Sequence, residues 1–139
     1  AVYHVVKLIS AVIHELAHIA WIDNFNSICA SLSQADCDLL KWKLNCHAAA
    51  AAAAGLDDVP CTEAYAYETE SERMCGIACA KPPGTMRATA QTSANAANEK
   101  CESAASDCAE MSAEPPNGCG ALPQPADQGG CRGPCECED

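Results

Sequence analysis

The sequence lacks the features that most readily identify a nucleic-acid-binding or nucleotide-using protein. No run of lysine or arginine interrupts a composition of 19 acidic and 8 basic residues, which gives the 139-residue chain a formal net charge of −11. Since nucleic-acid phosphates are bound by clustered positive charge, a nucleic-acid partner is excluded. Phosphate-binding loops, nucleophile elbows and dinucleotide fingerprints are equally absent from the sequence, so these enzyme classes find no support.

Aromatic side chains are scarce, at 4% of the residues, whereas the chain has twelve cysteines. An even cysteine count at this density predicts a disulfide framework formed in an oxidising compartment, and therefore a secreted, extracellular protein. No two cysteines form a CxxC pair, which argues against thiolate-zinc and redox sites. Cys75 and Cys79 are one helical turn apart and are expected to bind two different partners, and Cys135 and Cys137 are each expected to pair elsewhere.

The sequence also lacks the alternation of apolar and polar residues that is typical of half-buried strands. We therefore predict an all-α, disulfide-rich fold with about four helices. The first is predicted over residues 2–22, with Asp23 and Asn24 at its end. Its apolar side chains recur in steps of three and four, and this stripe is expected to face the core: Val2, Val5, Ile9, Val12, Leu16 and Ile19.

Three more helices follow from capping residues and breakers. The second is predicted to begin after a Ser33–Asp36 capping pair and to end at Gly55, the third to cover about 62–80, and the fourth about 86–111. Residues 1–112 are expected to form a helical, disulfide-stapled domain. Residues 113–139 are rich in proline, glycine and cysteine and are expected to form a cross-linked irregular segment packed on the same domain.

The most informative motif is AVIHELAHIAW at residues 11–21, which places His14, Glu15 and His18 in the spacing HExxH. Residues four apart on a helix project to the same side, so the two histidines can bind one metal ion. Glu15, next to the first histidine, can then act as a general base on a water molecule.

This stretch resembles the active-site helix of the zincin metallopeptidases, a resemblance that covers about ten residues. It implies zinc as the cofactor, His14 and His18 as metal ligands and Glu15 as the catalytic base. The metzincin branch continues with a glycine and a third histidine that this chain lacks. The gluzincin branch takes its third ligand from a glutamate on a later helix. The sequence leaves the third ligand open among several candidates: His47, Glu63, Glu68, Glu70 and Glu72.

Two observations oppose the peptidase interpretation. Zincin domains place a β-sheet before this helix, and its edge strand binds the substrate, but only 13 residues precede His14 and they read as the same helix. On a helical wheel, His14 and His18 also lie opposite the predicted core stripe, on a face expected to meet water or a partner. A second resemblance, to secreted phospholipases A2, would pair His14 and Glu15 with Asp36 or Asp38. That resemblance is incomplete, since no glycine-rich calcium loop precedes the histidine.

The remaining expectations concern partners. The acidic segment 57–72 is expected to be a solvated face that could meet a basic surface. Residues 1–22 carry Lys7, His14, Glu15 and His18 among their polar side chains, a polarity taken to exclude a transmembrane segment. The favoured hypothesis is a secreted helical protein that acts by binding a protein partner, as an extracellular effector, toxin-like ligand, signalling or assembly component. The alternative is a zinc metallopeptidase or zinc-binding relative. A more remote alternative is a degenerate phospholipase A2-like protein. No cofactor other than zinc is expected.

Overall fold

The computed structural model describes residues 2–56, 58–113, 118–120 and 130–138. Four helices account for most of them: α1 (Val2–Ala30), α2 (Gln34–Ala53), α3 (Pro60–Cys79) and α4 (Thr85–Ala113). No strand occurs in this part of the chain, of which the helices make up about four fifths. The predicted all-α, disulfide-rich fold is confirmed.

The helix ends follow the local chemistry that the sequence indicated, with one exception. The Ser33 side chain caps α2 by accepting a hydrogen bond from the backbone N–H of Asp36 at 3.2 Å. Pro60 begins α3, at a position where its missing N–H is not needed. The prediction that α1 ends at Asp23 and Asn24 is wrong, because the helix continues to Ala30.

The core lies where α1 and α4 pack on α3, which makes its most extensive contacts with α4. Met74 of α3 is completely buried against alanines of α4, including Ala90 and Ala94. These small side chains allow the two helices to approach closely, while Val6 and Ile13 of α1 close the cluster. A second cluster joins α1 to α2 through Trp21, Phe25 and Leu40.

The buried face of α1 is the opposite of the one predicted. Val5, Ile9, Val12, Leu16 and Ile19 are all exposed, although their spacing indicated a core stripe. The buried positions are instead Val6, Ser10, Ile13, Ala17, Trp21, Phe25 and Cys29. The prediction failed because the helix is apolar on most of its circumference, so hydropathy alone could not identify the inner face. The last two of these buried residues also explain why α1 continues beyond residue 24.

α1 has the length and apolarity of a helix that could cross a membrane, with a mean hydropathy of 1.6 over its most apolar window. A core helix and an N-terminal signal sequence satisfy the same criterion. Ile13 and Phe25 pack against the other helices, and 28% of the apolar window is buried.

All twelve cysteines lie in the described residues and form six disulfides: Cys29–Cys37, Cys46–Cys119, Cys61–Cys108, Cys75–Cys135, Cys79–Cys137 and Cys101–Cys131. The expectation that the closely spaced cysteines of α3 bind two partners is confirmed, as is separate pairing of the last two cysteines. Of the segment 113–139, the structure describes the backbone of residue 113 and residues 118–120 and 130–138, and four of these disulfides tie it to α2, α3 and α4.

Candidate metal centre

The two histidines of the HExxH motif lie where α1 packs on α3. His14 and His18 are one turn apart on α1 and are both half-buried, facing the first three turns of α3. There α3 presents Glu63, in its first turn, and Glu70, seven residues later on the same side. The prediction that these histidines lie on a face open to water or a partner is therefore wrong. The polar side of α1 is an interhelical contact.

Three potential ligand atoms converge on one point. Glu63 Oε1 lies 2.6 Å from His18 Nε2 and 3.1 Å from His14 Nε2, and the two histidine nitrogens are 3.1 Å apart. In a tetrahedral zinc site, bonds of about 2.0–2.1 Å separate neighbouring ligand atoms by about 3.3 Å. Two sides of the observed triangle are about 0.2 Å shorter than this, and the His18–Glu63 side is about 0.7 Å shorter, so an ion would have to move those two ligands apart. Two imidazoles and one carboxylate are also a common ligand set of catalytic zinc.

Carboxylates lie beside the outer nitrogens of both imidazoles. His14 Nδ1 is 3.0 Å from Glu70 Oε1, and His18 Nδ1 is 3.6 Å from Asp58 Oδ2. Ser10 in turn donates a hydrogen bond to the other oxygen of Glu70 at 2.5 Å. Zinc-bound histidines usually donate their second N–H to such a carboxylate, which fixes the ring and leaves the inner nitrogen free to bind the metal.

The positions of the hydrogens decide whether these three atoms could hold a cation. If both Nε2 atoms carried hydrogens directed at Glu63, the His14 and His18 hydrogens would be forced together at a nitrogen separation of 3.1 Å. If both Nδ1 atoms carry the hydrogens, His14 donates to Glu70, the His18 Nδ1 lies 3.6 Å from Asp58, and the two Nε2 atoms are left without hydrogens beside Glu63. A divalent cation between these three atoms would satisfy all of them at once.

The electrostatics of the metal-free site are those of an ion pair. Hydrogen bonds to Glu63 and Glu70 raise the pKa of His14 to about 9, against the opposing effect of burial. Hydrogen bonds from His14 and His18 lower the pKa of Glu63 to about 2. Glu63 is therefore ionised and available as a ligand at neutral pH, and zinc would compete with the His14 proton.

Glu15 and open space lie on the accessible side of the centre. Two clefts meet at His14, Glu15 and Tyr67, one of about 620 Å³ between α1, α3 and α4, and one of about 690 Å³ that also contains His18 and Glu63. The Glu15 residue is exposed, and the Tyr67 ring lies 4.3 Å from the His14 ring. The predicted general base thus borders the space that a substrate would occupy.

The other sequence candidates lie elsewhere or serve other roles. His47 is buried and donates a hydrogen bond to the carbonyl of Gly120 at 2.6 Å, so it is not part of this cluster. Glu68 and Glu72 are not in the group of converging ligand atoms. Asp38 accepts a hydrogen bond from Gln34 on the exposed first turn of α2, and His14 pairs with glutamates of α3 rather than with either phospholipase-like aspartate.

The acidic segment 57–72 is not simply a solvated face. Asp57 lies outside the described residues, but Asp58, Glu63 and Glu70 all face the histidines. The sequence did not identify Ser10 or Asp58 as members of the site. A usable signal was present, since Glu63 and Glu70 are two helical turns apart and an acidic stripe of that spacing can line one side of an opposing helix.

A second group of possible ligands is already occupied by covalent bonds. The sulfurs of Cys75, Cys79 and Cys135 lie close together. Each belongs to a disulfide, so none supplies a thiolate for a metal.

Comparison with known proteins adds no family to this description. No protein-family model, curated protein or solved structure matches the chain. The resemblance to zincins therefore stays confined to the HExxH helix, and any function must be argued from the site itself.

Proposed function

We propose that this protein is a zinc-dependent hydrolase that cleaves peptide bonds. The observation that supports the proposal is the convergence of His14 Nε2, His18 Nε2 and Glu63 Oε1 within 3.1 Å of one another. This is the alternative function of the sequence analysis, and the geometry favours it because the third ligand left open there has a candidate at bonding position.

Each residue of the site has a distinct role in the proposed reaction. His14, His18 and Glu63 hold the ion, which when bound activates a water molecule and polarises the scissile carbonyl. Glu15 accepts the proton of the attacking water and transfers it to the leaving nitrogen. Glu70 and Asp58 orient the two imidazoles through their outer nitrogens.

The absence of a sheet changes how a substrate would bind. In the described residues there is no edge strand to which an extended peptide could be added, which was the main argument against a peptidase. The two clefts that meet at His14 and Glu15 supply an alternative path, one on each side of the site. The peptide would be held by side chains of the helices rather than by a backbone ladder.

Six disulfides are consistent with action outside the cell or in another oxidising compartment. A rigid cross-linked scaffold also suits this chemistry, because metal ligands contributed by two separate helices must be held in fixed positions. We therefore propose an extracellular location for the enzyme.

The proposal is tested by incubating the zinc-loaded protein with a mixed peptide library and identifying new termini by mass spectrometry. We expect cleavage by the wild-type protein and none by Glu15→Gln, which removes the base but no metal ligand. Asp23→Asn is the matched control, since it neutralises another exposed carboxylate of α1. Absence of cleavage by the wild-type protein, or full activity of Glu15→Gln, contradicts the proposal.

The exposed face of α1 favours a second candidate function, which is self-association. The exposed stripe Val5, Ile9, Val12, Leu16 and Ile19 follows alternating steps of four and three, the spacing of a helix seam that packs on another helix. No charged residue interrupts it, so two copies of this acidic chain could meet there with little repulsion. This is a specific form of the binding role that the sequence analysis favoured.

Sedimentation velocity at increasing protein concentration tests this second candidate. We expect the wild-type protein to form a dimer or higher oligomer and Val12→Lys to remain monomeric, because the exposed valine would lie in the seam. A wild-type protein that is monomeric at all concentrations would eliminate self-association.

A further inference from the structure

The cleft between α1, α3 and α4 is lined by apolar and polar side chains that are not part of the proposed metal centre. Its wall is largely apolar, with Val6, Ala11 and Ala97 among the lining residues. Hydroxyl groups from α4 line the opposite side, including those of Thr92 and Ser93. Such a surface suits the side chains and backbone of a short peptide.

Two positive charges stand in this cleft, although the chain as a whole is strongly acidic. Lys7 and Lys100 both line it, and they are two of only eight basic residues. Each is positioned over an aromatic ring: Lys7 Nζ lies 5.8 Å from the centroid of Tyr3, and Lys100 Nζ lies 5.5 Å from that of Tyr67. Cation–π contacts of this kind restrict where the two ammonium groups lie.

Two carboxylates, Glu15 and Glu70, also line the cleft, and both lie near His14. Glu70 accepts hydrogen bonds from Ser10 and His14, on the side of the metal centre. Glu15 also borders the cleft, at its junction with the metal site. The far part of the cleft therefore keeps the positive character of its lysines, which favours an anionic ligand group.

The distances from the two lysines to His14 indicate how far a bound carboxylate would lie from the bond that is cleaved. Lys7 is seven residues before His14 on α1, two helical turns or about 10 Å along the axis. Lys100 Nζ and the His14 ring lie 5.5 and 4.3 Å from the same Tyr67 centroid, so they are less than 10 Å apart. An extended peptide advances about 3.3 Å per residue, so a group beside Lys100 lies at most about three residues from His14, and the backbone of Lys7 lies at a similar distance.

We propose that this cleft is a substrate subsite that binds a carboxylate about three residues from the scissile bond, between Lys7 and Lys100. The inference rests on the proposed function, because it names the substrate class of the same site. The carboxylate could be the free C-terminus of a short peptide or the side chain of aspartate or glutamate. The enzyme would then select acidic peptides or peptides that end near the cleavage site.

Binding of short peptides, measured by nuclear magnetic resonance titration of the full chain, tests the subsite without requiring hydrolysis. The three probes are N-acetyl-tetra-alanine as the free acid, the same peptide as the amide, and N-acetyl-Ala-Ala-Ala-Asp amide. Each experiment is repeated with Lys7→Gln, with Lys100→Gln and with Lys41→Gln. The last is the control, since Lys41 is an exposed lysine of α2 that lines neither cleft.

We expect at least one acidic probe to bind about tenfold more tightly than the neutral amide, as a charge-assisted hydrogen bond would give. The preference should be lost in Lys7→Gln and Lys100→Gln and kept in Lys41→Gln. A preference for the free acid alone identifies the C-terminus as the ligand, and one for the aspartyl peptide alone identifies a side chain.

Equal binding of acid and amide by the wild-type protein overturns the inference. So does a preference that persists in both cleft variants, or one that Lys41→Gln removes equally, since the effect would then reflect overall charge. These results are independent of the proposed hydrolase activity. A protein that cleaves peptides without an acid preference refutes the subsite alone, and a protein that binds acids but never cleaves refutes the hydrolase alone.

Discussion

Glu70 links Ser10 to His14: one carboxylate oxygen accepts the Ser10 hydroxyl at 2.5 Å, and the other lies 3.0 Å from His14 Nδ1. In a zinc-bound state this contact would keep the imidazole proton on Nδ1 and leave Nε2, which lies near His18 and Glu63, free to bind the metal. The geometry of the proposed metal centre would therefore depend on a residue that is not itself a proposed ligand.

The first prediction follows from this contact. Glu70→Ala should weaken zinc binding about 10- to 100-fold, because the His14 ring loses the partner that fixes its orientation. Affinity would be measured by competition with a chromogenic chelator. Glu72→Ala, which removes an exposed carboxylate two residues away, is the control and should bind zinc as the wild type does. Equal affinities for the two variants would show that Glu70 has no orienting role.

The second prediction concerns the stability of the metal-free protein. His14, with its pKa raised from 6.5 to about 9, stabilises the fold fully below pH 6.5 and loses this effect as the pH rises through 9. Glu63, with its pKa lowered from 4.5 to about 2, stabilises the fold above pH 4.5 and loses this effect as the pH falls through 2. The ion pair therefore contributes most between about pH 4.5 and 6.5.

Urea denaturation of the wild-type protein and of Glu63→Gln, both in chelator, measures this contribution. The difference in the free energy of unfolding should be largest in that window and should shrink towards pH 9 and towards pH 2. Subtracting the variant removes the titration of the other acidic residues. A difference that does not change with pH would mean that the two side chains are not paired in solution.

The sequence predicted the class of fold well because helix formation is largely local and because the cysteine count alone indicates a disulfide-rich fold. The connectivity did not follow, since five of the six disulfides join residues 30 to 73 positions apart. The capping pair at Ser33, the stop near Gly55 and the separate pairing of Cys75 and Cys79 all followed from spacing of a few residues. The face that α1 buries did not follow, since it depends on which side meets α3. Val5 and Val6 are the same residue type at adjacent positions, yet 51% of the first and 4% of the second are exposed.

These two valines give the third prediction. Val6→Ala should lower the free energy of unfolding by about 1.5–3 kcal/mol, since it removes a buried side chain from the core. Val5→Ala should change it by less than about 0.5 kcal/mol, because an exposed side chain loses few contacts. Chemical denaturation followed by circular dichroism compares them directly. A larger effect at Val5 would restore the orientation of α1 that the spacing first indicated.

The fourth prediction concerns the disulfides. The described buried side chains of α4 are small: Ala90, Ala94, Ala97, Asn98, Cys101 and Cys108. Such a helix gains little from burial of apolar surface, whereas each disulfide typically stabilises a fold by about 2–4 kcal/mol. Reduction should therefore abolish most of the helical circular-dichroism signal. Full helicity in reductant, with complete reduction verified by thiol titration, would show that packing alone is sufficient.

The sequence identified two of the three proposed metal ligands but not the third. The helical spacing of His14 and His18 identified two potential ligands, because both lie on one element. The third candidate ligand comes from α3, and the sequence offered several acidic residues there with no local feature to select Glu63. Glu63 is distinguished from the other acidic residues only by the packing of α1 on α3, which places its Oε1 atom close to both imidazoles.

The zinc content of protein purified without chelators tests the central claim most directly. We predict one zinc ion per chain by elemental analysis, lost in His18→Ala and in Glu63→Ala but kept in His4→Ala, where the substituted histidine is exposed on the same helix. Wild-type protein that binds no zinc, even after addition of the metal, or a His18→Ala variant that keeps it, would contradict the account.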